Sequence, residues 1–216
     1  MNWSGSGLSG NFDVIWYYAV QHLRIAVLAL LLGSALAFPI GIVAYKLPRT
    51  YPPILTASAI LYSVPSLSFM VLLYGAGLPL DEILVIIPLA FYTLIILVRN
   101  IVEGLRAVPA DVNDAATAMG FKATRRLLTV ELPLAIPAIV AGLRVAAVST
   151  VSLVSVGALV GSGGLGQLFT DGSQRDIPTE VRAGIVAVVL LALLVDLVLF
   201  TLQRIATPWA RVRSRG

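Results

Sequence analysis

The chain has no cysteine, a single histidine, and Asp, Glu, Lys and Arg at only 12% of its 216 residues. Without cysteine there is no disulfide, no thiolate metal site and no cysteine nucleophile. His22 alone supplies neither a zinc cluster nor a His-based triad. Of its two lysines, Lys46 and Lys122, neither sits in the G-x-x-x-x-G-K-[S/T] frame of a nucleotide-binding loop. No catalytic residue, metal or cofactor is therefore expected in this chain. Charge is about half of what a soluble domain carries, roughly 25%. In its place stand 58% hydrophobic residues and a mean hydropathy of +0.94. That balance argues against a cytosolic enzyme, which cannot hide so much apolar surface. It argues equally against a disordered chain, which needs the opposite composition. The net charge of +4 does not by itself indicate nucleic acid, and no nucleic-acid partner is expected.

What the sequence does have is long charge-free runs. Crossing about 30 Å of hydrocarbon takes roughly 20 mostly apolar residues. Five runs qualify: Ile25 to Tyr45, Tyr51 to Leu80, Ile83 to Val98, Leu132 to Thr170 (interrupted by Arg144) and Ala183 to Gln203 (interrupted by Asp196). They predict an all-α polytopic membrane protein with spans near 23–45, 54–76, 83–101, 134–159 and 182–203. Residues 1–17 are expected to be a tail, 18–203 the membrane domain and 204–216 a basic tail. Positive residues concentrate in alternate connections. Lys46 and Arg49 fill the first; Arg99, Arg106, Lys122, Arg125 and Arg126 the third; Arg204, Arg211, Arg213 and Arg215 the last segment. These are eleven of the fifteen basic residues, against Arg24, Arg175 and Arg182 on the other side. The positive-inside rule then places the N-terminus outside and the C-terminus in the cytoplasm. Met1 to Gly10 lacks the basic start of a signal peptide and reads as a short tail.

Gly33, Ala37 and Gly41, and again Gly157 and Gly161, recur at the spacing that lets helix backbones approach closely in lipid. Small residues are also simply common in such helices. Pro39, Pro65, Pro88 and Pro137 each fall within an expected span and predict bends.

The third connection is the most informative. Pro109 suits a first helical position, Asp111 and Asp114 favour the positive end of a helix dipole, and Gly120 suits the residue after the last turn. The pattern predicts a helix near 109–119, roughly 16 Å long, too short and polar to cross. Ala115 and Ala116 leave a smooth patch for the cleft of a soluble partner, and Phe121 offers an apolar anchor.

Asp114-Ala115-Ala116, three residues, Gly120, nine residues and Val130-Glu131-Leu132-Pro133 resemble the E-A-A…G…I-x-L-P loop of binding-protein-dependent ABC importer permeases. Asp replaces the family's Glu, and Val its Ile. The resemblance extends from about Trp16 to Thr207 and implies the type I importer fold of the methionine-permease kind. It implies that Asp111, Asp114, Ala115, Ala116, Met119, Gly120, Phe121, Leu132 and Pro133 couple to a separate ATPase subunit, which binds ATP and Mg. It further implies a second permease chain, identical or paralogous, an extracytoplasmic substrate-binding protein, and a bacterial or archaeal cell membrane. Pro65-Ser66-Leu67, Arg99-Asn100, Leu132 to Pro137, Ala141 to Arg144, Gly163 to Gly166 and Asp196 resemble most the permeases that import glycine betaine, choline, carnitine or similar quaternary amines. Methionine or other amino-acid permeases share several of these motifs and are the nearest alternative. An independent channel or secondary transporter is the alternative of a different class; it would not need the coupling loop. A membrane enzyme would need convergent nucleophile, base or metal ligands.

Four further groups are candidates. Arg144 and Asp196, expensive in hydrocarbon, are expected at similar depths and are predicted to pair. Such a pair can fix the helix arrangement, or leave Arg144 to meet a substrate carboxylate. Tyr62, Ser66 and Phe69, beside Ser63 and Pro65, fall at i, i+4 and i+7. They form either a packing stripe or a pathway face that passes a quaternary ammonium by cation–π contact. Gly163, Gly164, Leu165 and Gly166 read as a flexible turn, or, by the resemblance, as an external loop near the binding protein. His22 reads as an interfacial residue.

Overall fold

A computed structural model describes residues 11–208; the rest of both predicted tails lies outside the described residues. The described residues form helices and turns, without strands. In chain order these are α1 (Phe12–Lys46), α2 (Tyr51–Ser63), α3 (Ser66–Gly75), α4 (Ile83–Arg106), α5 (Ala110–Ala118), α6 (Ala123–Arg126), a π-helical turn (Leu127–Glu131), α7 (Leu132–Val154), α8 (Gln167–Gln174) and α9 (Pro178–Ala206). Two short 3-10 turns, Ser155–Val160 and Gly164–Gly166, lie between α7 and α8.

Four helical stretches are long and apolar enough to cross a membrane: Phe12–Lys46, Ile83–Arg106, Ala123–Val160 and Pro178–Ile205. The second predicted span, 54–76, is not one helix. It is α2 and α3, bent by 88° where they meet. Val64 before the proline is extended, with φ −71° and ψ 123°, as the proline ring requires of its predecessor. Pro39, Pro88 and Pro137 lie inside helices that continue through them. Helix α1 begins at Phe12, so residues 12–17 are helical rather than tail. At 35 residues it is about 52 Å long by its rise, more than a bilayer core needs. Its first turns expose Phe12, Trp16 and Tyr17, residue types that favour the water–lipid boundary.

The core is a three-helix seam. Ile25, Ala26 and Ala29 of α1 meet Leu84, Val85 and Leu89 of α4 and Val151 and Val154 of α7, with Met70 of α3 below them. Towards the other end Ala37 meets Leu97, Val98 and Ile101, and Ala135 and Ile139 close the cluster. Most of α4 is buried in this seam, whereas α9 presents Ile185, Val189, Leu193, Leu197 and other apolar side chains outward. That outward apolar surface suits contact with lipid or protein rather than water.

The small-residue stripe of α1 faces α4. A Cβ at Gly33 would lie 2.5 Å from the Ala90 carbonyl oxygen and 2.6 Å from Thr93 Cβ, and one at Gly41 would lie 2.8 Å from Ile101. The second stripe is not a helical stripe. Gly157 packs on Val85, but Gly161 has φ +85° and ends its 3-10 turn in open space. Among residues predicted to be cytoplasmic, Arg106 lies 4.4 Å above the Tyr51 ring, and Tyr51 clusters with Ala44 and Val102. The ends of α1 and α4 and the start of α2 therefore share one end of the bundle. Gly33→Ala is expected to lower stability by about 1–3 kcal/mol through overpacking. Gly75→Ala, with nothing within 4 Å of its Cβ, is the neutral control. Melting of the detergent-solubilised protein measures both; equal melting of the two variants would contradict the close approach.

Candidate functional site

The short helix between the third span and α6 is α5. Pro109 does not take its first helical position; it caps the helix with extended backbone, φ −59° and ψ 142°. The nine residues run about 14 Å. Asp111, Asp114, Ala115 and Ala118 are exposed, and their i, i+3, i+4, i+7 spacing puts them on one face. Met119 follows, 68% exposed. Ala116 is 2% exposed and packs into its own chain, so the predicted Ala115–Ala116 patch is Ala115 alone. Consecutive residues on a helix point about 100° apart, which is why both alanines cannot face one partner.

The exit from α5 is fixed by hydrogen bonds. The amides of Met119, Gly120 and Phe121 donate to the carbonyls of Ala115, Thr117 and Ala116 at 3.0, 2.9 and 3.1 Å. Gly120 has φ +82°, the left-handed conformation that favours glycine after a helix. Phe121 is half-buried under the Arg125 guanidinium, 4.4 Å from its ring centroid. Leu132 and Pro133, half-buried, open α7. Sequence reasoning did not single out Arg126 and Glu131. Arg126 Nε donates to Glu131 Oε1 at 2.7 Å, and Arg126 Nη1 donates to Thr117 Oγ1 at 2.8 Å. Glu131 is 2% exposed. Glu131 stood in the Val130-Glu131-Leu132-Pro133 stretch only as its unspecified position.

Arg144 and Asp196 join α7 to α9, each inside a helical stretch long and apolar enough to cross a membrane. Nε donates to Oδ1 and Nη2 to Oδ2, both at 2.8 Å, the fork geometry that matches guanidinium to carboxylate. The Phe200 ring lies 4.8 Å from the Arg144 guanidinium. Side-chain exposures of 27% and 33% show that the pair opens onto a groove of about 580 Å³, shared with Val148, Ser149 and Leu193, and is not sealed in the core.

The predicted Tyr62–Ser66–Phe69 stripe is divided by the helix break. Tyr62 lies in the last turn of α2, Pro65 caps α3, and Ser66 and Phe69 lie on α3. Ser63 Oγ donates to the Ile60 carbonyl at 2.7 Å. Tyr62 packs edge-on against Tyr92, ring centroids 5.5 Å apart, and Phe69 packs on Phe91 at 5.8 Å. The Tyr92 hydroxyl donates to the Val64 carbonyl at 2.6 Å and so satisfies backbone that the break leaves open. Tyr62 also lines a cavity of about 460 Å³ between α2 and α4, with Ser58, Arg99, Asn100 and Glu103.

Gly163, Gly164, Leu165 and Gly166 are buried and do not form a flexible turn. Gly164, at φ +51°, presses its backbone against His22; a Cβ there would lie 2.6 Å from His22 Cβ. His22 is no interfacial residue either. It is fully buried, and its Nε2 lies 2.7 Å from the Val151 carbonyl. The turn is tight because glycines allow α1 and the end of α7 to close on it. Among the described residues, no three His, Asp or Glu side chains group as a metal site.

Comparison with known proteins places this geometry. Residues 29–212 match the family described as "Binding-protein-dependent transport system inner membrane component". The carnitine transport permease protein OpuCB of Listeria monocytogenes is 32% identical over 199 residues, covering 90% of this chain and 89% of that protein. The choline transport system permease protein OpuBB of Bacillus subtilis (strain 168) is 29% identical over 204 residues, covering 93% and 92%. The osmoprotectant import permease protein OsmW of Salmonella typhimurium is 30% identical over 196 residues, covering 87% and 89%. Among solved structures, the inward-facing MetNI methionine ABC transporter in its CY5 native crystal form contains a chain of the same fold. The TM-score is 0.78 at 22% identity, over 88% of this chain and 94% of that one.

Reversing either charge, Arg144→Asp or Asp196→Arg, is expected to reduce the folded protein recovered from membranes, and the double reversal to restore it. Recovery by size-exclusion chromatography reads the outcome; a double variant no better than the singles would contradict pairing as the reason for these charges.

Proposed function

The chain belongs to the family of binding-protein-dependent transport system inner membrane components, a multi-pass membrane permease, and on that premise we propose that it forms the pathway for a quaternary-amine osmoprotectant in an ATP-driven importer. ATP is hydrolysed by a separate subunit. Solute arrives from a separate binding protein outside, and a second permease chain completes the pathway. The N-terminus lies outside the cell and the C-terminus in the cytoplasm, as the distribution of basic residues favours.

One observation carries the reading: a nine-residue helix between two spans shows a face of Asp111, Asp114, Ala115 and Ala118 to its surroundings. A short rod with small side chains lets a groove in a partner reach its backbone, and its two carboxylates favour basic groups in that groove. The ATPase grips α5 there. Nucleotide binding moves the gripped helix, and the spans shift between two states that the ATPase and the receptor bias from opposite sides. The solute class rests on the carnitine, choline and osmoprotectant permeases among the relatives. The Tyr62 ring at the α2–α4 cavity offers an aromatic face for a quaternary ammonium, and Arg99, there bonded to Glu103 at 2.8 Å, would have to exchange that partner to meet a substrate carboxylate.

Two measurements test the proposal. A cysteine at Ala115 is expected to crosslink to the ATPase subunit in a nucleotide-sensitive manner, while one at Ala116 reacts weakly because it is buried. No crosslink from Ala115 would refute the docking. In cells expressing the whole importer, unlabelled glycine betaine, choline or carnitine should compete for uptake of a labelled quaternary amine and methionine should not; competition by methionine alone would overturn the solute class.

A further inference from the structure

The geometry beneath α5 points to a transmission element: we infer that Arg126 is a positioning residue that couples the movement of α5 to α7 by bridging Thr117 and the buried Glu131 across the π-helical turn. This rests on the reading that the ATPase grips α5.

Residues five apart on a regular helix point about 140° away from each other and do not meet; pairs form at three and four. Arg126 and Glu131 are five apart. They meet because Leu127–Glu131 is a π-helical turn, whose i→i+5 bonding brings the fifth residue back over the first. The turn therefore has a consequence in side-chain chemistry. It places a guanidinium at the end of α6 on a carboxylate at the entrance to α7, with 2.7 Å between Nε and Oε1. Glu131 is 2% exposed and Arg126 30%. A carboxylate so enclosed depends on its partners; the Tyr45 hydroxyl of α1 is one, and Arg126 is the charged one that also reaches α5.

The same guanidinium has a second arm. Arg126 Nη1 donates to Thr117 Oγ1 at 2.8 Å, and Thr117 Oγ1 donates in turn to the Asn113 carbonyl at 2.7 Å. Asn113 and Thr117 lie on α5, next to the exposed face. The rigid, planar guanidinium thus ties the helix that the ATPase holds to the first turn of α7. Thirteen residues further along α7 is Arg144, bonded to α9. The π turn is the place where α6 and α7 can change their relative angle, and the Arg126 bridge makes that change follow α5. An isolated structural ion pair would need no hydroxyl partner on α5.

The test uses the complete importer, permease with ATPase, in liposomes. One cysteine at Ala115 reports docking by crosslinking. Another at Ser152, exposed near the far end of α7, reports transmission by its rate of thiol labelling with and without ATP and vanadate. In the parent protein, nucleotide is expected to change the Ser152 labelling rate severalfold. In Arg126→Ala the Ala115 crosslink persists, while the Ser152 response, measured per assembled complex, falls to less than a third. Thr117→Val, which removes an exposed hydroxyl together with its bonds from Arg126 and to the Asn113 carbonyl, reduces the response about twofold. Thr117→Val combined with Arg126→Ala is no worse than Arg126→Ala alone. A full nucleotide response at Ser152 in Arg126→Ala overturns the inference, as does a parent whose Ser152 ignores nucleotide although Ala115 crosslinks. If Arg126→Ala does not assemble, Thr117→Val decides alone, and an unchanged response overturns the inference. Loss of the parent's Ala115 crosslink counts against ATPase docking, not against the bridge.

Discussion

Hydrocarbon offers no water to a backbone amide or a lone charge, and that constraint sorts the polar residues of this chain. Backbone is paired inside long helices, and the one sharp break between α2 and α3 has the Tyr92 hydroxyl on the carbonyl it leaves open. Charges within the spans either pair, as Arg144 and Asp196 do, or sit near helix ends. Packing in lipid gains little from hydrophobic exclusion and relies on close contact. Gly33 and Gly41 supply it by letting α1 lie directly on α4. The result is a firm seam of α1, α4 and α7 with α9 laid along its side.

Against that firm seam, polar and adaptable structure is concentrated in the connection from Val108 to Glu131. Here a short helix, a left-handed glycine, a four-residue helix and a π turn follow one another within 24 residues. Stiff spans and a jointed connection suit an element that receives force from a soluble motor and passes it to the membrane. The groove at Arg144 and Asp196 lies along the same α7. A shift of α7 therefore reshapes that groove. At the opposite end of α7, His22 and the buried glycine turn pack on its last residues, so α7 touches structured elements at both of its ends.

Much of this was legible in the sequence. Apolar runs located the long helices because hydrocarbon tolerates few alternatives, and Pro109, Asp111, Asp114 and Gly120 located the short helix α5. Arg144 and Asp196 stood out because charge is costly at that depth. What was not legible depended on three-dimensional direction. A proline marks a possible bend without giving its size, so Pro65 and Pro88 looked alike although only the first divides a helix. Periodicity assumes 3.6 residues per turn, so the meeting of Arg126 and Glu131 through a π turn was invisible to it. Glycine-rich composition at Gly163 to Gly166 read as looseness, whereas the same lack of side chains allowed the tightest packing. His22 was judged by its nearness to the start of a charge-free run, whereas α1 begins earlier and the Gly164 turn and Val151 of α7 close over it.

A handle by which an ATPase moves this membrane bundle has to be held by that subunit, and α5 is the proposed handle. The most direct measurement is a cryo-electron-microscopy structure of the permease with its ATPase, in nucleotide-free and ATP-trapped states. Asp111, Asp114, Ala115 and Ala118 are expected to be buried in an ATPase groove in both, with α5 displaced between them. An α5 that faces open solvent in both states would contradict it.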